Sequence, residues 1–138
     1  MKRVMAVDYG DARTGVAISD LLCSLVGTTY VIHSRNTEKT LAQLKQLTSE
    51  NNVGEIALGL PKNMDGTEGP RAQLCREFAA LLQKTTGLPV QLWDERRTTV
   101  EAHQILNDHN YHGKKRKNTV DAVAASLILE GYLRFRGR

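Results

Sequence analysis

This sequence predicts an α/β fold: a mixed five-stranded sheet with helices on both faces. Three observations carry that expectation. The first 33 residues hold three short runs rich in β-branched residues, joined by short turns, which is the pattern of an antiparallel meander. From residue 37 onward, stretches with helical spacing alternate with short apolar runs, as in a sheet wound with helices. The chain has 138 residues, 41% of them apolar and 25% charged, so it is the size of one ordinary domain with one core, and residues 1–138 are read as that domain.

Each element follows from its local pattern. In "RVMAVDYGDARTGVAIS" (3–19), the runs Val4 to Val7 and Gly15 to Ser19 read as the first two strands, and Thr28 to His33 as the third. Leu41, Leu44 and Leu47 recur at helical spacing, predicting a helix from near Thr37 to Asn52. "EIALGL" (55–60) is continuously apolar, the mark of a strand buried on both faces. The next helix opens at Pro70, a residue suited to a first turn, and runs through Leu74, Phe78, Leu81 and Leu82 to a stop at Gly87. "PVQLW" (89–93) reads as the last strand, and Thr98 with Glu101 forms a capping box for a helix through Ile105 and Leu106. A basic loop, "HGKKRKN" (112–118), then leads to a final helix from Thr119 to about Leu133. There are no repeats and no low-complexity linker, and the order β-β-β-α-β-α-β-α-α places helices on both faces of one sheet.

Composition excludes several classes. No stretch approaches the roughly 20 apolar residues of a membrane span. Lys2 and Arg3 precede an apolar run, but Asp8 interrupts it, so no signal peptide is expected. Cys23 and Cys75 are too few for a disulfide framework and lie in apolar surroundings, which suggests reduced core thiols in a cytoplasmic protein. His33, His103, His109 and His112 show no zinc-ligand spacing with them. No P-loop or G-x-G-x-x-G fingerprint is present, and Ser19 and Ser126 have no histidine whose position the sequence fixes. The net charge of +4 is uneven: residues 111–138 carry seven Lys and Arg against two acids, and the other 110 carry twelve bases and thirteen acids. That asymmetry favours an anionic partner, nucleic acid being the commonest, although a solvated tail has the same composition.

In open α/β sheets, sites lie at the C-terminal ends of parallel strands. Asp8 ends the first strand on the face it shares with Val4 and Ala6. There it either caps its own turn through Gly10 or holds a metal or a phosphate's counter-ion. Asp94 and Glu95 end the last strand, and Asp121 falls in the first turn of the final helix, after Asn118 as N-cap. Singly, these are turn, surface and macrodipole residues. Jointly they aim carboxylates from three regions at one rim, and carboxylates forced together call for a divalent cation, Mg²⁺ or in its place Mn²⁺. The loop "GLPKNMDGTEGPR" (59–71), with Asp65, is either a phosphate cradle at a helix N-terminus or an exposed turn. Trp93 alternates with Asp94 and is expected in the core.

Four motifs carry a resemblance: "VDYGDARTGVAISD", "LGLPKNMDGTEGPRA", "WDERRTTVEA" and "KKRKNTVDAVAASLILEGYL". Together, and in this order over nearly the whole chain, they resemble the YqgF (RuvX-like) family, described both as Holliday junction resolvases and as nucleases of pre-16S ribosomal RNA. The resemblance implies a ribonuclease H-like fold and metal-dependent phosphodiester hydrolysis. It assigns Asp8, Glu95 and Asp121 as catalytic metal ligands with Asp94 in reserve, in a scheme where one ion activates water and another the leaving oxygen. Related resolvases carry an acid on the strand matching "EIALGL"; this chain offers none there beyond Glu55, which opens the run, and Glu95 on the neighbouring strand is the available substitute. Arg97 stands where the family pattern usually has an apolar residue. Arg13, Lys62, Arg96, Lys114, Lys115, Arg116 and Lys117 are expected to position phosphates rather than read bases. The leading expectation is processing of the 5′ end of pre-16S rRNA. The alternatives are resolution of four-way DNA junctions and a non-catalytic RNA-binding assembly role. A sugar-kinase or actin-like ATPase half is disfavoured, because such enzymes close two domains over a nucleotide. Monomer and homodimer both remain open.

Overall fold

The structure, a computed structural model, describes residues 2–95 and 113–136, with side chains described for 2–95 and 120–136. Five strands, β1 (Arg3–Asp8), β2 (Arg13–Ser19), β3 (Val26–His33), β4 (Val53–Leu60) and β5 (Val90–Asp94), form one sheet in the order β3-β2-β1-β4-β5. β1, β2 and β3 pair antiparallel as the expected meander, while β4 and β5 join β1 in parallel. The helices are α1 (Thr37–Glu50), α2 (Pro70–Thr86) and α3 (Gly113–Arg136). Asn36 caps α1 by accepting from the Lys39 amide, and Gly87 closes α2 in the left-handed conformation at φ 71°.

Alternation sorts the sheet into two unlike faces. Met5, Val7, Val16, Ile18, Ile56 and Leu58 are large and pack against Leu41 and Leu44 of α1 and Phe78 and Leu82 of α2. The opposite face is built from small residues, Ala6, Ala17 and Ala57, and receives Ala125, Ile128, Leu129 and Tyr132 of α3. Small side chains let α3 approach the strands closely. At Gly15 the approach is closest, because a Cβ there would stand 2.1 Å from the carbonyl oxygen of Asp121. The far end of α3 is tied by Arg136, 2.7 Å from Glu55 at the start of β4, and by the Tyr132 hydroxyl, which donates to the same carboxylate.

Two expectations change. The last helix begins at Gly113, not Thr119, so Lys114 to Lys117 are helical positions rather than a loop. Lys and Arg are good helix formers, and Asn118 and Thr119 are tolerated inside the helix rather than capping it. Asp121 consequently lies more than two turns in, beyond the first-turn reach of the macrodipole. Cys23 is half-buried in the turn after β2 at φ 54°, with Sγ 3.2 Å from the Lys2 carbonyl oxygen, so it is not a core thiol; Cys75 is buried. The expected helix through Ile105 and Leu106 lies outside the described residues. Among the described residues, no helix is long and apolar enough to cross a membrane.

Candidate active site

Parallel pairing sets the C-terminal ends of β1, β4 and β5 side by side, with Val7 beside Leu58 and Leu60 beside Asp94. Asp8 ends β1 on the α3 face. Its antiparallel partner is Gly15, and on the other side Gly59 follows Leu58, the partner of Val7. Asp8 is therefore flanked by glycines on both neighbouring strands, and the two empty positions are filled in different ways.

Over Gly15 sits the backbone of Asp121, which brings a second carboxylate to Asp8. Over Gly59 sits the carboxylate of Glu95. A Cβ at Gly59 would stand 2.3 Å from Glu95 Oε2 and 2.7 Å from Ile128 Cδ1. Glu95 follows β5 directly, and its amide donates to the Leu60 carbonyl at 3.2 Å, extending the ladder by one bond. Its side chain thus crosses the β4 position and occupies the space that a β4 side chain would otherwise fill.

The carboxyls of Asp8 and Glu95 hydrogen-bond each other. Burial, then the Asp121 charge, push Asp8 up to about 6. Burial, then the Asp8 charge and the bond to Asp8, push Glu95 up to about 8. Both carboxyls are thus held above the usual carboxylate range, by burial first and by each other's proximity. Its Oε2 is buried with no hydrogen-bond partner among the described residues. An orphaned hard oxygen beside a second carboxylate suits a divalent cation such as Mg²⁺ or Mn²⁺.

Asp121 is engaged elsewhere. Arg13 Nε donates to Asp121 Oδ2 at 2.8 Å, with side chains 34% and 17% exposed respectively. Accordingly, among the described residues no three His, Cys, Asp or Glu side chains close on one point as a ready metal centre. Asp94 is exposed and alternates with Trp93, and its charge adds to the upward push on Glu95. Trp93 meets Tyr132 and Phe135 of α3 edge-on, as a residue packed into that face.

Sequence reasoning missed Arg71. From the first turn of α2 it donates to Asp11 Oδ1 at 2.8 Å and to the Tyr9 carbonyl, and its guanidinium lies 5.2 Å over the Tyr9 ring. Tyr9 in turn stacks on Phe78 at 3.8 Å. The Arg71 charge pulls against the upward shifts of both Asp8 and Glu95. Its only sequence signal was its place as the cation that ends the Gly-rich loop. That loop folds on itself: the Asn63 amide donates to Thr67 O, the Gly66 amide to Asn63 O and the Thr67 amide to Asp65 Oδ1. Lys62 is half-buried beside it, with its charge felt at Glu68. Arg96 lies outside the described residues, and so do the side chains of Lys114, Lys115, Arg116 and Lys117.

A family model described as "RuvX: Holliday junction resolvase" matches residues 2–135. The chain belongs to the RuvX family. As a member of it, the chain is a nuclease. Relatives named "Putative pre-16S rRNA nuclease" include one from Halothermothrix orenii, 47% identical over 99% of this chain and 97% of its own length. Another, from Carboxydothermus hydrogenoformans, is 40% identical over 99% of both. Among solved structures, T. thermophilus RuvC in complex with a Holliday junction substrate superposes with a TM-score of 0.59 at 11% identity, covering 99% of this chain and 96% of that one. The Fowlpox virus resolvase, also solved with Holliday junction DNA, gives 0.58 at 13% over 99% of both. At such identities the likeness is one of fold, and this RuvX-family chain has the ribonuclease H-like fold of those resolvases.

Proposed function

We propose that this RuvX-family protein is a divalent-metal-dependent nuclease that hydrolyses the backbone of structured nucleic acid, with the 5′ region of pre-16S rRNA as its substrate. The contact between Asp8 and Glu95, with one buried oxygen unpartnered, carries this reading. The rRNA assignment is supported by full-length relatives bearing that name. Four-way DNA junctions remain a second reading, favoured by the family description.

Asp8, Glu95 and Asp121 would hold the metal, which supplies an activated water and neutralises charge on the phosphoryl group. In the hydrolysis, a water oxygen bonds to phosphorus, the P–O bond to the leaving sugar oxygen breaks, and that oxygen takes up a proton. Arg71 holds the turn after β1 and so fixes the direction of Asp8. Its guanidinium charge also acts on both members of the acid pair. Lys62, Arg96 and Lys114 to Lys117 are assigned to the phosphates on either side.

The deciding experiment compares cleavage of a precursor-rRNA fragment and a four-way DNA junction, each with Mg²⁺ and with EDTA. Mg²⁺-dependent cleavage of the RNA, lost in Asp8→Asn, is expected. Junction cleavage alone would transfer the assignment to DNA. Binding without cleavage of either substrate would leave an RNA-binding assembly factor.

A further inference from the structure

Three carboxylates reach the rim, yet only two are in contact. The third, Asp121, is held by Arg13 at 2.8 Å. Both ends of that ion pair have closely packed backbones. Asp121 is pressed onto Gly15, and Arg13 closes the turn after β1 so tightly that a Cβ at Gly10 would stand 2.1 Å from its carbonyl oxygen. Rearrangement of the pair therefore falls first to the side chains. The Arg13 side chain is one-third exposed, so a ligand from solvent can reach its guanidinium.

We infer that Arg13 gates the metal site: without nucleic acid it withholds Asp121 from the cation, and a backbone phosphate of the substrate takes over its guanidinium and frees Asp121. This rests on the reading of Asp121 as a metal ligand. The exchange is chemically even-handed, since a guanidinium fork matches carboxylate and phosphate alike. It is also accessible from solvent on the Arg13 side, since the ion pair is only part-buried. In the closed state only Asp8 and Glu95 are available to the cation. In the open state Asp121 completes the set. Metal and nucleic acid then strengthen each other's binding by the same factor, as linkage requires, and the complete metal site forms only when substrate is present.

The test uses Mn²⁺ alone, titrated by water-proton relaxation into the full chain without nucleic acid. Arg13→Gln is expected to bind Mn²⁺ about fivefold or more tighter than wild type. The gain should vanish in the Arg13→Gln/Asp121→Asn double variant, while Asp121→Asn alone stays near wild type. In EDTA, fluorescence anisotropy with a precursor-rRNA fragment should show Asp121→Asn binding several-fold tighter than wild type, because Arg13 is released, and this gain should disappear in the double variant. If Arg13→Gln does not fold, Arg13→Lys, which keeps the charge but lacks the Nε donor, should show a smaller tightening of Mn²⁺. Mn²⁺ binding by the Arg13 variants no tighter than wild type would make Arg13 a structural partner of Asp121 and overturn the gate. An RNA-affinity gain that persists without Arg13 would overturn the handover. Mn²⁺ binding unaffected by Asp8→Asn would overturn the metal reading itself, and the gate with it.

Discussion

Asp8 and Glu95 are two acids in one partly buried space, and their chemistry in the metal-free chain is governed by the proton between them. Both are raised above their ordinary values of 3.8 and 4.5, to about 6 and about 8. The folded state therefore holds protons that the unfolded chain releases. The stability these groups contribute is fully present below about pH 4 and is lost as pH rises through 6 and then 8. In EDTA the melting temperature should fall across that window. Mg²⁺ should restore it, and by more at pH 8 than at pH 5, because cation and proton compete for the same oxygens; equal Mg²⁺ shifts at both values would exclude a cation on this pair. Asp8→Asn removes the charge and keeps the shape, so it should abolish cleavage while leaving the fold as stable or about 0.5–2 kcal/mol more so, measured by denaturant melts beside the cleavage assay. Arg71→Gln should slow cleavage up to about 100-fold at saturating Mg²⁺, since it loosens the turn that aims Asp8. Arg71→Lys should fall between, and a full-rate Arg71→Gln enzyme would remove that role.

At the scale of elements, the site depends on how closely α3 lies on β2 and β4. Gly15→Ala would drive a methyl into the Asp121 backbone, which has no flexible end to yield. A loss of about 1–3 kcal/mol is expected, with cleavage falling more than residual stability explains, because Asp121 moves with the helix. A variant with wild-type stability and rate would show that α3 does not need that approach. Much of this architecture was legible beforehand. Period-two alternation already placed Asp8 with Val4 and Ala6, and Pro70 and Gly87 marked the ends of α2. The glycines opposite Asp8 were not legible, because their positions depend on strand register between segments far apart in sequence. Glu95 was named as a substitute acid on resemblance, but its place over Gly59 emerges only when β4 and β5 are paired. Arg71 escaped notice for the same reason, since its partners Tyr9 and Asp11 lie about 60 residues away. The start of α3 was misplaced because a run of bases before an Asn-Thr pair looks locally like a loop and a cap. The run is helical instead.

Over the whole molecule, charge is distributed as a nuclease would need it. Seven of the nineteen bases fall in the last 28 residues, and the remainder of the chain is close to neutral. Lys114, Lys115, Arg116 and Lys117 occupy the opening of α3, and the last of them stands four positions before Asp121, about 6 Å along the helix axis. The helix that supplies the third carboxylate thus also carries the densest basic run, so phosphates held there would lie beside the rim. If the run docks the backbone, binding releases counter-ions and weakens steeply with salt. Changing all four to Gln should weaken RNA and DNA binding about equally across sequences. It should also flatten the log–log salt slope by roughly one unit for each phosphate no longer held. Cleavage at saturating substrate should change far less, since Asp8, Glu95 and Asp121 are untouched. Affinities of variant and wild type for the same ligands across a salt series provide the measurement; unchanged slopes and affinities would mean that substrate docks elsewhere on the chain.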